Sequence, residues 1–250
     1  MPAHHDDYAR SAEFIDVMIA GWWEAFGAHV AEAVASMKGA EGPVVDVGAG
    51  GGPGTRVLLD TLPEAEVIAV EPSPALRAVL LSRAADPFWG GGRVTVHGED
   101  LLSARLPERL GGLLAMNVLG HFTPHQRARI WTMLADRLAP GSAALVNLLP
   151  PHEPATIERV VMSELTVGRR DYKGWSAAVP TGPESVRWSM TYEVHEAGEP
   201  VWSTDVDYDW WCLTGEGLRA EAARHGLEAA PTGPDEAGLF LLRHGAGAGA

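Results

Sequence analysis

The chain has 250 residues, 46% of them hydrophobic, and its formal net charge is −14 at neutral pH. This length suits one large α/β domain with additions, while the acidic balance and the lack of a Lys/Arg stripe argue against nucleic acid as a partner. The single cysteine excludes an internal disulfide. The sequence has no run of about 18 apolar residues and no basic, apolar leader, so we expect no membrane partner and a cytoplasmic location.

Near the N-terminus, residues 11–38 predict a helix, because large apolar side chains recur every four residues. The stripe comprises Phe14, Met18, Trp22, Phe26, Val30 and Val34. Packing of the helix onto a core accounts for most of this pattern. A second interpretation, which stays open, is that Trp22 or Trp23 faces a substrate.

The next segment carries the strongest functional signal. The apolar run Val44–Val47 enters a glycine cluster, and helix-like sequence follows. Glycines let the chain turn sharply and let a ligand approach the backbone closely. Glu71 ends the following apolar run 23 residues after Gly48, near the ~20-residue spacing at which a carboxylate meets a ribose. Together these features predict an adenosine-type cofactor.

The spacing of the glycines indicates which cofactor. A dinucleotide fingerprint needs G-x-G-x-x-G, but Pro53 and Thr55 occupy the sixth position in the two available registers, which disfavours a nicotinamide oxidoreductase. No G-K-[ST] sequence occurs, so a P-loop is excluded. Residues 46–52 read acid-x-G-x-G-x-G instead, and this resembles the first motif of the class I S-adenosylmethionine (SAM)-dependent methyltransferases.

The resemblance continues over about residues 43–150. Candidate strands at 93–101, 113–122 and 143–149 and a helix over 124–138 follow in the order of that family. It implies an α/β, Rossmann-like class I methyltransferase fold: a mostly parallel seven-stranded sheet with helices on both faces, an N-terminal helical cap and an inserted β-hairpin lid. The expected units are a cap over 1–42, a SAM-binding core over 43–150, a lid insertion over 151–211, the end of the core over 212–244 and a disordered tail over 245–250.

The resemblance also implies SAM as the cofactor and assigns its ligands. Glu71 matches the acid that binds the ribose hydroxyls, and Asp100, with Glu99 as the rival, matches the acid that meets the adenine amino group. Structural roles remain open for Asp46 as a backbone acceptor, Asp100 as a surface acid and Asn117 as a strand cap. The implied cofactor-binding residues are Asp46, Gly48, Ala49, Gly50, Glu71, Pro72, Asp100, Leu101 and Asn117.

The insertion predicts a β-hairpin in its second half. Apolar and polar residues alternate over 186–194 and again over 202–210, with a turn at 196–200 between them. Seven of the nine tryptophans lie outside residues 43–150, which suits a pocket for a flat organic acceptor as well as packing of the hairpin. An exposed aromatic hairpin favours a homodimer. Its three aspartates indicate a solvated face, and no metal site is predicted. The chain then predicts a helix from Thr214 to His225 and a closing strand pair over 227–231 and 239–243.

Methylation of an oxygen or nitrogen requires removal of a proton, and histidine suits this near neutral pH. His121 is the first candidate because it follows the fourth strand, whose end faces the methyl group in this family; His125 and His152 are alternatives. A structural role for His121 also stays open. Tyr8, Trp22 and Trp188 are the candidate substrate-binding residues.

The residues so far support a methyltransferase acting on an O, N or C atom of a small organic acceptor, in secondary metabolism. The alternative is a SAM-binding cyclase or isomerase that transfers no methyl group.

Overall fold

The computed structural model describes residues 8–245, and all but the first residue of the predicted tail, 245–250, lie outside them. Within residues 8–245, no helix is long and apolar enough to cross a membrane. In this described part of the chain, eleven strands form two sheets of seven and four strands. In chain order they are β1 (Val44–Val47), β2 (Val67–Val70), β3 (Val94–His97), β4 (Gly112–Ala115), β5 (Ala144–Asn147), β6 (Ile157–Val167), β7 (Arg170–Gly182), β8 (Ser185–Glu196), β9 (Glu199–Trp211), β10 (Leu227–Pro231) and β11 (Leu239–His244).

The seven-stranded sheet has the order β10-β11-β5-β4-β1-β2-β3. Strands β1 to β5 run parallel, and β11 is antiparallel between β5 and β10. Strands β1, β2, β4 and β5 are buried along their full length, as expected for parallel strands covered on both faces. This confirms the predicted fold class. Because parallel neighbours end at the same edge, the loops after β1, β2, β4 and β5 meet there.

Six α-helices among the described residues connect and cover the strands. Proline at the first position of four of them suits a helix start, since its missing N–H has no helical partner there. Thr123 and Gln126 form a reciprocal capping box on the fifth helix, and Thr214 caps the sixth, as predicted. The helices are α1 (Ala12–Val34), α2 (Pro53–Thr61), α3 (Pro74–Ala84), α4 (Pro87–Gly90), α5 (Pro124–Arg137) and α6 (Gly215–Ala223).

A buried ion pair joins α5 to α6 behind the sheet. The Arg127 guanidinium donates to both carboxylate oxygens of Glu221, at 3.0 and 2.7 Å, and the Trp131 indole donates to the same carboxylate at 2.9 Å. The Arg127 side chain is 1% exposed. Such a pair is tolerable in a core because each charge meets its partner through several hydrogen bonds.

The insertion is larger than a single hairpin. Strands β6 to β9 form an antiparallel meander in the order β6-β7-β8-β9, so the predicted hairpin is its second half and the first hairpin was missed. The inner face of the meander packs on α1, where the Phe14 ring stacks on Tyr192 and on Trp202 with centroids 5.1 Å away in each case. The meander is therefore anchored to the N-terminal helix.

Candidate active site

The glycine loop between β1 and α2 is shaped for close approach. Gly48, Gly50 and Gly52 have φ values of 62°, 58° and 105°, in the left-handed region that glycine adopts without strain. A Cβ on Gly48 would overlap Val118, which follows β4. The loop thus packs closely against the segment that follows β4, while the space beside Gly50 is open.

Glu71, directly after β2, reaches back to this loop. Its carboxylate accepts hydrogen bonds from the Gly50 and Ser73 amides, both at 2.8 Å, and the residue is 4% exposed. Arg77 on α3 stabilises the turn between β2 and α3 by donating to the carbonyls of Glu71 and Pro72. The structure brings the predicted ribose acid and the glycine loop into direct contact, as the 23-residue spacing in the sequence indicated.

Asp46, the acid of the glycine motif, lies beneath the loop. Its carboxylate accepts the Thr55 hydroxyl at 2.6 Å in the first turn of α2, and the residue is 2% exposed. Burial raises the pKa of Asp46 to about 7, the Thr55 hydrogen bond opposes this, and the nearby Glu71 carboxylate adds to it. The observed contact favours the structural role that the sequence left open for this acid.

The loop after β3 separates the two rival acids. Asp100 accepts the Leu102 amide at 3.1 Å and the Ser103 hydroxyl at 3.2 Å, so it caps the turn that follows. Glu99 is more exposed and lies 3.9 Å from the His97 imidazole. Because the chain turns at Gly98, the strand ends at residue 97 and is shorter than the predicted 93–101.

The N-terminal helix also touches the glycine loop. The Arg83 guanidinium on α3 donates to the Gly51 carbonyl at 2.7 Å and to Asp16 on α1 at 2.9 Å. A Cβ on Gly51 would overlap the Asp16 carboxylate. One cation therefore holds α1 directly on the loop, a contact that the sequence did not indicate.

His121 lies in an aromatic enclosure at the end of β4. Its Nε2 forms a 2.7 Å hydrogen bond with the Tyr8 hydroxyl, and its ring lies 5.0 Å from that of Trp210 and 5.5 Å from that of Tyr208, centroid to centroid. Burial lowers the pKa of His121 to about 4, so the imidazole is neutral at neutral pH. A Cβ on Gly120 would overlap the Trp210 ring, which fits closely against this turn.

Among the other predicted side chains, Trp188 lies beside this enclosure and the rest lie farther away. Trp22 packs with Trp23 and Phe26 on α1, and Trp188 lies opposite Tyr208 on the inner face of the meander. His125 is exposed on α5. His152 lines a separate cavity of about 340 Å³, together with Thr214 and Phe240, beyond the end of β5.

Two residues that the sequence analysis did not single out, Tyr208 and Trp210, contact His121 instead. The apolar alternation placed them on the inner face of the hairpin, but it could not say which member of that face covers the site. Three aspartates occupy the opposite face, where Asp205, Asp207 and Asp209 accept from Thr191, Ser189 and Arg187 across the strands.

Comparison with known proteins supports the family. Residues 44–141 match the family model of a methyltransferase domain. No curated protein matches the chain in sequence. Among solved structures, Streptomyces venezuelae DesVI has a TM-score of 0.74 at 19% identity, covering 92% of this chain and 97% of its own. SAM-bound CalS10 from Micromonospora echinaspora, an amino pentose methyltransferase involved in calicheamicin biosynthesis, has a TM-score of 0.73 at 19% identity, covering 96% and 98%.

A third neighbour is the sugar N-methyltransferase KedS8 from Streptoalloteichus sp. ATCC 53650. Its TM-score is 0.70 at 18% identity, and the match covers 92% of both chains. At such identities the three structures establish the fold. The matched methyltransferase domain begins at β1 and runs through α5, and so includes the glycine loop, Glu71 and the turn after β4. The chain therefore contains a methyltransferase domain over residues 44–141, in the Rossmann-like fold of SAM-dependent methyltransferases.

Proposed function

We propose that the protein transfers the methyl group of SAM to a small organic acceptor bound between the turn after β4 and the inserted meander. The observation that carries this proposal is the Tyr8–His121 hydrogen bond, enclosed by Tyr208 and Trp210 on the sheet edge that also carries the glycine loop. It puts a neutral base under an aromatic wall, an arrangement suited to an organic acceptor.

For the cofactor, we propose that Glu71 holds the ribose and Asp100 the adenine amino group. Within the glycine loop, the space beside Gly50 is open, which leaves room for SAM against the backbone there. Calorimetric titration with SAM, S-adenosylhomocysteine (SAH) and NADH tests this site. We expect micromolar binding of SAM or SAH and none of NADH. Glu71→Ala should abolish that binding and Asp100→Ala should weaken it, whereas the matched control Glu99→Ala should not. NADH binding alone would refute the proposal, and equal effects of the Asp100 and Glu99 variants would refute the adenine assignment.

SAM supplies an activated methyl group on a sulfonium, and its displacement leaves a neutral thioether. The residues of this chain then have two tasks, to align the acceptor with the methyl group and to exclude water. Tyr208 and Trp210 exclude water from the side of the meander. We propose that the acceptor proton passes to the Tyr8 oxygen as the Tyr8 hydroxyl gives its own proton to His121 Nε2, the atom to which it is hydrogen-bonded. The lowered pKa keeps His121 unprotonated and able to accept at neutral pH.

For the acceptor, we propose an amine on a sugar in secondary metabolism, ahead of oxygen or carbon. Two structural neighbours are named as a sugar N-methyltransferase and an amino pentose methyltransferase. The net charge of −14 also favours a cationic amine over an anionic acceptor. The test is incubation with SAM and panels of amino sugars, phenols and carboxylic acids, followed by mass spectrometry.

A product heavier by one CH₂ group together with SAH supports methyl transfer, and His121→Ala should then bind SAM normally but turn over slowly. Unchanged turnover in that variant would remove His121 from the mechanism. A product of unchanged mass would instead indicate a SAM-binding cyclase or isomerase.

We propose that the protein forms a homodimer through β6. This strand is an edge of the meander and exposes apolar side chains on both of its faces, including Val160, Val161, Met162 and Val167. An exposed apolar edge is a template for pairing, and two copies can pair it antiparallel about a twofold axis. Light scattering should show a dimer for the wild type and a monomer for Val161→Lys. The control Leu81→Lys, at an exposed position on α3, should remain a dimer. A monomeric wild type would refute the interface.

A further inference from the structure

The turn that leaves β4 begins with a residue in an unfavourable backbone conformation. Asn117 has a φ of 61°, one of two positive values at non-glycine residues among those the structure describes. Asparagine tolerates this left-handed region better than most residues, but it still requires support from its surroundings. Residues held in this way concentrate at functional sites.

Asn147, the last residue of β5, supplies that support. Its side-chain Oδ1 accepts the Asn117 amide at 2.6 Å, and its Nδ2 donates to the Asn117 Oδ1 at 2.7 Å. Asn147 is 1% exposed, and its backbone is paired with Leu239 of β11. A rigid, buried amide therefore holds both the backbone and the side chain of Asn117, and only a group that donates and accepts can make both bonds.

Two contacts of the site depend on where this turn sends the chain. The side chain of Val118, the next residue, fills the space that a Cβ on Gly48 of the glycine loop would occupy. The following 3-10 turn, Leu119–His121, delivers His121 to the Tyr8 hydroxyl. The conformation of Asn117 thus sets the spacing between β4 and the glycine loop and also the position of the base.

We propose that Asn147 is a positioning residue that holds Asn117 in the left-handed conformation and so fixes the floor of the SAM site. The inference rests on the proposed function, since it assumes that the turn after β4 faces the cofactor. Asn147 acts through Asn117 and need not touch SAM or the acceptor.

A pair of substitutions at residue 117 separates conformation from side chain. Asn117→Gly and Asn117→Ala both remove the amide, but glycine adopts the left-handed region freely and alanine does not. In titrations with SAH, we expect Asn117→Ala to bind about tenfold more weakly than Asn117→Gly. Equal affinities would overturn the proposal, because the conformation of residue 117 would then not matter.

A double-mutant cycle tests Asn147 itself. Asn147→Ala should raise the Kd for SAH about tenfold in the wild-type background, because a smaller fraction of molecules holds the competent turn. In the Asn117→Gly background the same change should alter the Kd less than about twofold, since glycine needs no clamp. The same fold-change in both backgrounds, or none in either, would refute the proposal.

A control at the opposite end of the same strand pair separates positioning from general stability. The buried Ser142 hydroxyl donates to the Gly111 carbonyl at 2.6 Å, where β4 and β5 begin. Ser142→Ala should lower the melting temperature yet leave the Kd for SAH unchanged. SAH binding needs no acceptor, so a chain that binds SAH but methylates nothing would refute the proposed function while this cycle still decides the role of Asn147.

Discussion

Asp46 offers a quantitative test of how the cofactor loop is held. Its buried carboxylate accepts the Thr55 hydroxyl at the start of α2. Asp46→Asn keeps the shape and an acceptor oxygen for Thr55 but removes the group that titrates. The variant therefore isolates the electrostatic cost of keeping this acid under the glycine loop.

The expected size of that cost follows from burial, which raises the pKa of Asp46 from 3.8 to about 7. Between these values the folded protein keeps a proton that the unfolded chain has released, so stability falls as the pH rises. A shift of about three units corresponds to on the order of 4 kcal/mol. We expect the stability of the wild type to fall by that order, relative to Asp46→Asn, between about pH 4 and pH 8.

Urea unfolding at a series of pH values measures this difference. Asp60→Asn is the matched control, because Asp60 is 56% exposed on α2 and pairs with Arg56 at the surface. A surface pair contributes about 0–1 kcal/mol, so the control should follow the wild-type profile. If Asp46→Asn also followed the wild-type profile, Asp46 would be ionised in the folded protein and the reasoning from burial would be wrong.

Three further predictions concern the site and its support. The pKa of His121 is lowered from 6.5 to about 4, so the unfolded chain takes up a proton first as the pH falls. Urea unfolding should show that His121→Gln loses less stability than the wild type across this window, and an equal loss would mean that the folded imidazole is charged. Arg127→Met removes the cation that pairs with Glu221 and leaves the Trp131 indole as a neutral donor, so it should cost about 3–5 kcal/mol in urea unfolding, whereas a wild-type stability would refute the buried ion pair. Gly120→Ala forces a Cβ into the Trp210 ring, so we expect a loss of about 1–3 kcal/mol and altered tryptophan fluorescence, and wild-type values of both would refute the close fit.

Much of the parallel core could be predicted because its strands are short, buried and nearly uninterrupted. Two of these strands, Val44–Val47 and Val67–Val70, consist almost wholly of apolar residues and are followed by a glycine or an acid. The pattern therefore indicates both the strand and the residue at which it ends. The boundary after β3 was wrong because the family resemblance implied an acid at the end of this strand, whereas the backbone turns at Gly98, before Glu99 and Asp100. The first hairpin was missed because bulges near Val160 and Val161 interrupt the alternation of β6.

The parts of the candidate site that lie within one sequence motif could be predicted, whereas contacts between distant segments could not. Glu71 follows from its spacing to the glycines, but Tyr8 and His121 are 113 residues apart, and no local pattern joins them. Aromatic alternation indicated an inner face of the meander without indicating that Tyr208 and Trp210 would cover His121. Asn147 ended an apolar run, a signal that could have been noticed, yet only the structure shows its partner.

The two sheets differ in the sequence separation between the strands that pair in them. Each strand of the meander pairs with its neighbour in sequence, whereas β1 pairs with β4, and β5 pairs with β11 across the whole insertion. Contacts between neighbours in sequence form faster than distant ones. We therefore expect the meander, whose residues form the wall over His121, to fold early, whereas the seven-stranded sheet is complete only when β11 inserts beside β5. Since one continuous stretch of chain encodes the wall, its residues can be exchanged to suit another acceptor without rearranging the strands that hold the cofactor.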